Sequence, residues 1–255
     1  MVVEVDGEGR SRLVGLRSEG PLVLRPTAPS PPCGVVVHLV GGAGGPLGGD
    51  ALTVEVVVGP GAELTVLTVA AAVVLPGPAP SVYEIDARVG AGGRLRWMPE
   101  PTVAAAGCRH RTRARVNLDS GAGLVWREEL VGGRHGEDGG SVSSRLSVDL
   151  GGRALVRHRL EMGPEHPAWA SPAVGAGARC AGSLLVVDPA WVDRPPGPVV
   201  LDGIAGGVAG GIAAVMPLVG PAVQVVGLAS DAITLRRLLE AGEAALGCRV
   251  PVRAA

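Results

Sequence analysis

The sequence contains no lysine and no phenylalanine, and all of its 23 basic residues are arginines. Without lysine the chain cannot form a Schiff base with a substrate. It also cannot supply the lysine with which P-loop NTPases and protein kinases hold nucleotide phosphates. The sequence has no GxSxG elbow, no HExxH pair and no EF-hand loop either. The motifs of these common enzyme and calcium-sensor classes are therefore absent.

Aromatic side chains and net charge are both scarce. One tyrosine and four tryptophans are present, and the formal net charge is −1. So few rings do not build the stacking platform of a single-strand binder, and a nearly neutral chain lacks the basic surface that holds phosphate backbones. The sequence therefore predicts no nucleic-acid partner.

The four cysteines are isolated from one another, at Cys33, Cys108, Cys180 and Cys248. No CxxC pair occurs and no histidine stands at ligand spacing from them, so a zinc site is not expected. The first twenty residues alternate polar and apolar side chains, unlike a signal peptide. We expect a cytoplasmic protein whose thiols remain reduced and pack as small hydrophobic groups.

One stretch, residues 203–230, carries no charge and is long enough to cross a membrane. Pro217, Gly220 and Pro221 interrupt it between two apolar runs of strand length, 211–215 and 222–228. A membrane anchor and a hairpin of buried strands both fit this pattern. The central breakers favour the hairpin, and we expect no membrane association.

A strand–turn–strand pattern recurs along the chain, and the 41 glycines and 22 prolines disfavour long helices. Copies occupy residues 54–67, 85–98 and 114–127, with turn glycines at Gly61, Gly92 and Gly121, and a shorter copy occupies 147–160. Similar hairpins recurring at a fixed spacing are typical of stacked β units. We predict one mainly-β domain over residues 1–255. Its β core, from about residue 10 to 228, is a superhelical, solenoid-like stack of hairpins or a layered sandwich.

A single helix is predicted at the C-terminal end, over about residues 230–246. Ser230 is the expected N-cap, Asp231 lies in the first turn and Gly247 ends the segment. Apolar residues recur at helical spacing between them, at Ile233, Leu235, Leu238, Leu239, Ala245 and Leu246. We expect this apolar side to pack on the sheet.

Charged residues concentrate at a few positions. Strand alternation places Arg109, Arg111, Arg113 and Arg115 on one face of a strand. These arginines form either a solvated edge that prevents sheet aggregation or a contact surface for an acidic partner. Glu128 and Glu129 are adjacent, so one of them must face inward, and Asp50 follows two glycines.

Taken together, several segments resemble the urease accessory protein family UreD, called UreH in some organisms. The segments that carry the resemblance are GGPLGGD (44–50), VGPGAEL (58–64), WMPEPT (97–102), WREELVGGRHGE (126–137) and the segment 211–239, which ends in DAITLRRLL. They stand in the family's order and extend from about residue 10 to 246. In residues 69–75 this chain has VAAAVVL where the family usually carries polar side chains.

The resemblance implies a scaffold without catalytic residues and without a tightly bound cofactor. Such proteins bind apo-urease and UreF, which recruits the GTPase UreG, and nickel is thought to pass through them towards urease. The family fold is a β-rich superhelix. The resemblance therefore makes Asp50, Glu129 and Glu137 candidates for a transient nickel path. It makes Arg109, Arg111, Arg236 and Arg237 candidates for partner binding, with the two helix arginines pointing outward.

Two other functions remain open at this point: a carbohydrate-active enzyme on a β-solenoid and a membrane-anchored β protein. The enzyme needs carboxylates that converge on one groove, together with aromatic platforms for sugar rings, and neither is evident in the sequence. The anchor would depend on residues 203–230. A scaffold also leaves apolar surface uncovered until its partner binds, so we expect the isolated chain to self-associate.

Overall fold

The computed structural model describes residues 1–28, 34–202 and 210–247. Two of the cysteines, Cys33 and Cys248, lie outside these residues, whereas Cys108 and Cys180 are buried free thiols. The strands, in chain order, are β1 Val2–Val5, β2 Ser11–Gly15, β3 Leu22–Thr27, β4 Val35–Gly41, β5 Ala51–Val58, β6 Glu63–Thr68, β7 Ala72–Val74, β8 Ser81–Val89, β9 Arg94–Met98, β10 Thr102–Ala104, β11 Arg109–Leu118, β12 Gly123–Gly132, β13 Ser141–Leu150, β14 Arg153–Met162, β15 Cys180–Val187, β16 Val199–Asp202, β17 Gly211–Pro217 and β18 Ala222–Ala229. Helix α1 spans Ala232–Ala245, and 3₁₀ turns lie at Pro167–Ala170 and Pro189–Trp191.

Within the described ranges these strands form two sheets that face each other. Sheet A runs in the order β14-β13-β11-β8-β5-β1-β2, and sheet B runs in the order β16-β17-β18-β15-β12-β9-β6-β4-β3. The short strands β7 and β10 pair with each other, and β10 also pairs with β12. The mainly-β, solenoid-like prediction with one C-terminal helix is confirmed.

The first three sequence repeats are arches that join the two sheets, and the prediction of hairpins was wrong for them. In each repeat the first strand lies in sheet A and the second lies in sheet B, as with β5 and β6. Each strand then pairs in parallel with the same strand of the next repeat, so that Val58 faces Val89 and Val89 faces Leu118. Apolar and polar residues alternate in the same way along the strands of arches and of hairpins, because the alternation indicates only which face of a strand is buried. The fourth repeat, β13–β14, is a true antiparallel hairpin.

The turn glycines of the arches stack on one another. Gly61, Gly92 and Gly121 have φ values of 68°, 69° and 81°, a region in which other residues are strained. The Gly61 N–H donates to the Ala91 carbonyl at 3.0 Å, so neighbouring turns are hydrogen-bonded. The repeat spacing in the sequence therefore reflects this stacking of turns.

The main core lies between the sheets and is built from ladders of matched residues. On sheet B, Leu64, Leu95 and Leu124 are directly opposed across β6, β9 and β12, and each is at most 2% exposed. Burying each leucine fully contributes about 1.5–3 kcal/mol. Trp97 and Trp126 stack in the same layer, with ring centroids 5.0 Å apart.

Helix α1 covers the other face of sheet B. Leu235, Leu238 and Leu239 are fully buried there, whereas Ile233 is 66% exposed. The N-cap is Asp231 and not Ser230 as predicted, because the extended backbone at Asp231 lets its carboxylate accept the Thr234 N–H at 2.8 Å. Gly247 follows the helix with φ 68°, as its predicted end requires.

The uncharged stretch forms a strand pair where the structure describes it. β17 and β18 are antiparallel neighbours, joined around Pro217–Pro221, as the hairpin prediction required. Residues 203–209 lie outside the described part of the chain. No helix in the described part has the length and apolar character to cross a membrane.

Candidate functional site

A chamber of about 350 Å³ lies between the two sheets, above the layer of Trp97 and Trp126. Its lower part is apolar and is lined by Ile85, Ala114 and Leu146 in addition to the tryptophans. At the neighbouring inward-facing positions of the same strands, polar side chains take the place of apolar ones. The chamber is therefore an interruption of the main core by polar groups.

Sheet A contributes a row of hydroxyl groups to this chamber. Tyr83, Thr112 and Ser144 occupy directly opposed positions on β8, β11 and β13, and all three line the chamber. Burial raises the pKa of the Tyr83 phenol, which therefore stays protonated. Because the strands are parallel and in register, three residues far apart in sequence form one polar line.

His110 extends the polar line towards the end of sheet A. Its side chain is 4% exposed, with Nδ1 2.8 Å from the Ser81 hydroxyl and Nε2 3.2 Å from the Thr112 hydroxyl. Burial lowers the pKa of His110 to about 4, so the imidazole is neutral at neutral pH. A neutral imidazole can act as a nitrogen ligand for a metal ion if one hydroxyl contact is exchanged.

Sheet B contributes a carboxylate, Glu128, to the same chamber. Glu128 follows Trp126 by two positions on β12, so both side chains point between the sheets. The Ser144 hydroxyl on the opposite sheet donates a hydrogen bond to Glu128 Oε1. Burial raises the pKa of Glu128, and the hydrogen bond from Ser144 opposes that rise. Among the described residues, no cation forms an ion pair with this carboxylate.

Asp50 also lines the chamber, at the end of the glycine-rich segment. Its carboxylate accepts the Leu47 N–H at 2.8 Å, and its own N–H donates to the Leu47 carbonyl at 2.9 Å. This geometry is that of a turn cap, and the half-buried side chain of Asp50 also reaches the chamber. Gly48 packs so closely on Gly77 that a Cβ would lie 2.5 Å from its backbone, so the segment requires glycine there.

The segment in which the sequence departs from the family pattern lies at this same site. Val69 to Val73 line the chamber, and the Val69 side chain is 61% exposed. This part of the wall is therefore apolar, facing the carboxylates and hydroxyls of the other walls. The residues that differ from the family pattern therefore lie in the wall of the chamber and not in a distant loop.

Glu129 points to the opposite face of β12, under helix α1. Its side chain is completely buried, and Oε1 lies 3.0 Å from Arg127 Nε and 2.6 Å from Arg236 Nε. Arg236 also contacts Glu100, with Nη2 3.1 Å from Oε2. Although burial acts to lower it, the Glu129 and Glu100 carboxylates raise the pKa of Arg236. Glu100, Arg127 and Glu129 are also among the residues that line the chamber.

The two helix arginines differ in their surroundings. Arg237 is exposed, as predicted, whereas Arg236 points towards the sheet and not outward. Helical geometry places these neighbours about 100° apart, and the apolar stripe centred on Leu235 and Leu239 turns Arg236 inward. The outward prediction was therefore wrong for Arg236.

Glu137 lies away from the chamber, in the loop after β12. Oε2 accepts a hydrogen bond from Arg134 Nε at 2.7 Å, and Oε1 accepts the Ala106 N–H at 3.0 Å. The hydrogen bonds from Arg134 hold the pKa of Glu137 down to about 2. Glu137 therefore forms a salt bridge with Arg134 and connects two loops.

The arginine ladder lies on the outer face of sheet A. Its strand, β11, pairs with β8 on one side and β13 on the other, so the solvated-edge interpretation was wrong. Arg113 lies 3.4 Å from Glu84 and Arg115 lies 3.7 Å from Asp86. Arg109 donates to the Pro78 carbonyl at 3.2 Å, and Arg111 is exposed.

The chamber thus brings together Asp50 with Glu128, His110, Tyr83 and Ser144, whereas the carboxylate of Glu129, also a lining residue, is held by Arg127 and Arg236. Glu128 could have been found from the sequence, because it lies two positions after Trp126 and must face the same way. The row of hydroxyl groups could not, because it depends on how the strands align in the sheet. No group of three or more His, Cys, Asp or Glu side chains with metal-holding geometry occurs within the described residues.

Comparison with known proteins identifies the family of the chain. A family model described as UreD urease accessory protein matches residues 2–251. A urease accessory protein UreD from Parafrankia sp. (strain EAN1pec) is 43% identical over 260 residues, covering 93% of this chain and 84% of that protein. One from Streptomyces avermitilis is 43% identical over 245 residues, covering 95% and 94%. One from Frankia alni is 41% identical over 274 residues, covering 94% and 89%.

The fold defines a two-sheet, solenoid-like β protein with a chamber between its sheets, and the relatives belong to a class of accessory proteins. The chain belongs to the UreD urease accessory protein family. This membership supports a role in urease maturation and implies interaction with other components of that process. By its name, the family is one of accessory proteins and not of catalysts.

Proposed function

We propose that this chain is a non-catalytic scaffold in the cytoplasm. In this proposal it binds apo-urease subunits together with UreF-like and UreG-like accessory proteins, and nickel ions pass through the inter-sheet chamber towards the urease active site. The observation that carries the proposal is Glu128, a carboxylate between two sheets whose nearest polar partner is the Ser144 hydroxyl. A divalent cation in the chamber would supply the positive charge that this carboxylate lacks.

The chamber contains donors of the kinds that nickel accepts. Carboxylates are available at Glu128 and Asp50, and His110 has a neutral imidazole. Imidazole suits nickel as a ligand, and carboxylate oxygens bind divalent metal ions more generally. A path must bind an ion well enough to admit it and weakly enough to release it, so separated donors favour transit over storage. In this proposal Glu128 takes the place that the sequence gave to Glu129.

The remaining candidate residues fit a different role. Glu129 is held by two arginines, and Glu137 is held by Arg134. We assign both to the stability of the scaffold and not to the nickel path. For partner binding, Arg237, Arg109 and Arg111 remain candidates, whereas Arg236 acts inside the protein.

The test is complementation in a urease-producing host that lacks this chain. The measurements are co-purification of a tagged copy with the urease and accessory proteins, and nickel content per urease. The proposal predicts that Glu128→Gln and Asp50→Asn keep the complex and lower the nickel content. Both changes preserve a hydrogen-bond acceptor for Ser144 or Leu47 and remove only the charge.

The matched controls are Glu8→Gln and Asp119→Asn, which remove the same charges at exposed positions away from the chamber. They should leave both measurements unchanged. Absence of any complex with the wild-type chain would contradict the scaffold. Full nickel loading with both chamber variants would contradict the nickel path while leaving the scaffold standing.

A further inference from the structure

The outer face of sheet A, opposite to the chamber, carries a concentrated group of arginines. Five of them, Arg109, Arg111, Arg113, Arg145 and Arg159, line one basin of about 220 Å³. We call these five residues the arginine field. They come from β11, β13 and β14, and only Arg109 and Arg111 among them were candidates from the sequence. The loop after β14 forms one wall of the basin through Glu165 and His166.

The register places like charges directly opposite one another in this field. Arg113 faces Arg145 across β11 and β13, and Arg145 faces Arg159 across β13 and β14. Neighbouring strands are about 4.8 Å apart, and like charges directly opposed across strands destabilise a sheet. The row of three arginines therefore reduces the stability of the sheet.

Nearby carboxylates compensate this charge only in part. Arg113 pairs with Glu84 at 3.4 Å, and Arg159 contacts Glu161, which also accepts from Ser143. Arg111 and Arg145 are exposed, and within the described residues neither guanidinium has a hydrogen-bond or ion-pair partner. The guanidinium N–H groups of Arg111 and Arg145 are therefore available to bind a ligand in the basin.

The ligand chemistry that fits these donors is a set of carboxylates. Guanidinium groups bind carboxylates through two parallel hydrogen bonds, but a single exposed pair contributes little because both groups are hydrated. Several contacts must therefore form together, which favours a segment with several acidic side chains over a single small anion. The basin is also flanked by Glu84 and Asp86 on β8, which would repel the continuous phosphate backbone of a nucleic acid.

We infer that the arginine field is a docking surface for an acidic segment of a protein partner. Only the identity of the partner, as a component of urease maturation, rests on the proposed function. The neighbouring carboxylates of β8 would orient the segment, since basic residues of the partner are favoured on that side and acidic ones over β11, β13 and β14. Rim charges of this kind act mainly on the association rate and its salt dependence.

The test compares two double charge reversals in the full chain. Arg111→Glu with Arg145→Glu removes the two free guanidiniums. Arg17→Glu with Arg153→Glu makes the same change in net charge at exposed arginines outside the basin. Circular dichroism and thermal unfolding establish that both variants fold, and Arg111→Gln with Arg145→Gln serves as a milder pair if the reversal unfolds the chain.

Binding of a fluorescein-labelled oligoglutamate peptide is measured first, because it needs no urease component. The inference predicts that the field variant weakens binding about tenfold or more, that the control stays within about twofold, and that salt reduces the difference. Equal binding by both variants would overturn it. Tighter binding of a labelled single-stranded oligonucleotide, lost in the field variant, would overturn it in favour of a nucleic-acid partner.

Co-purification with the urease and accessory proteins is measured second. Loss of one partner in the field variant but not in the control identifies the protein that carries the acidic segment. If the wild-type chain captures no partner at all, the proposed function fails, whereas the peptide result still decides on the docking surface. If the wild type and the field variant capture all partners equally, the docking surface fails and the scaffold stands.

Discussion

Arg236 of helix α1 donates from Nε to Oε1 of Glu129 on β12 at 2.6 Å, which joins residues 107 positions apart in the sequence. The Glu129 side chain is completely buried, and Arg127 contacts the same oxygen at 3.0 Å. The ion pair therefore fixes the helix to the strand that also carries Glu128 into the chamber. Through this pair, the position of the helix is coupled to one wall of the candidate nickel path.

Arg236→Ala should destabilise the protein strongly, because it leaves a buried carboxylate with one arginine in place of two. Removing one partner of a buried ion pair costs about 3–5 kcal/mol, and Arg127 offsets part of that loss here. We expect a decrease of about 2–3 kcal/mol in the free energy of unfolding, measured by urea denaturation. Arg237→Ala is the matched control on the exposed side of the helix and should change stability by less than about 0.5 kcal/mol.

The two adjacent glutamates show how far the sequence predicts the site. Alternation required one of Glu128 and Glu129 to face the core, but both faces of β12 are covered, one by sheet A and one by α1. Each glutamate is therefore enclosed, and the distinction lies in the partners: a hydroxyl for Glu128 and two arginines for Glu129. Arg236 comes from the far end of the chain, so a local pattern carries no information about that pairing.

Glu128→Gln should stabilise the chain at neutral and alkaline pH. Burial raises the folded-state pKa of Glu128, so its ionisation favours the unfolded state. As pH rises from the unfolded-state pKa through the folded-state pKa, the free energy of unfolding of the wild type decreases. Glutamine does not ionise, so the variant keeps its stability. We expect a gain on the order of 1 kcal/mol, or roughly 2–4 °C in Tm, at pH 8 that disappears near pH 4.

The result that contradicts this account of Glu128 is a variant as stable as the wild type at both pH values, or one that is less stable at pH 8. The variant should also deliver less nickel in the complementation experiment. A more stable protein with poorer function would mark Glu128 as a residue retained for its activity.

His110 should make the protein lose stability in mild acid. Its folded-state pKa is lowered to about 4 by burial, against about 6.5 in the unfolded chain. Above pH 6.5 the imidazole is neutral in both states and does not reduce stability. As pH falls towards 4, the unfolded chain binds a proton that the buried imidazole does not, and the free energy of unfolding decreases by about 3 kcal/mol in all. His110→Asn keeps a hydrogen-bonding side chain and should flatten the dependence of the unfolding free energy on pH across this interval. An unchanged slope in the variant would refute the assignment.

Gly92→Ala should test the left-handed backbone conformation of the arch turns. Gly92 has φ 69°, where a side chain costs about 1–2 kcal/mol, and a Cβ there would also contact the Gly61 backbone at 3.9 Å. We expect a decrease of about 1–2 kcal/mol in the free energy of unfolding. Gly7→Ala, in a turn where a Cβ meets nothing within 4 Å, should be nearly neutral. Equal effects at the two positions would count against the positive-φ requirement at Gly92.

The stacking of the repeats was predictable from the spacing of the glycines, but the path of the chain within each repeat was not. The separations between Gly61, Gly92 and Gly121 matched the stacked repeats because each repeat adds one parallel strand to each sheet. Whether β5 folds back on β6 or crosses to another sheet depends on what lies across the core. The four-residue connection 59–62 and its glycines fit either path, so the arches appeared as hairpins in the sequence.

The central claim is that nickel reaches urease through the chamber and not merely through a complex that this chain helps to assemble. The most direct measurement is the nickel content of urease made in the presence of Ser144→Leu, which narrows the chamber opposite Glu128 and removes the hydrogen bond to its carboxylate. The account predicts an intact complex with urease and its accessory proteins, and a nickel content near that of cells lacking the chain. An intact complex with full nickel loading would contradict the chamber as the path.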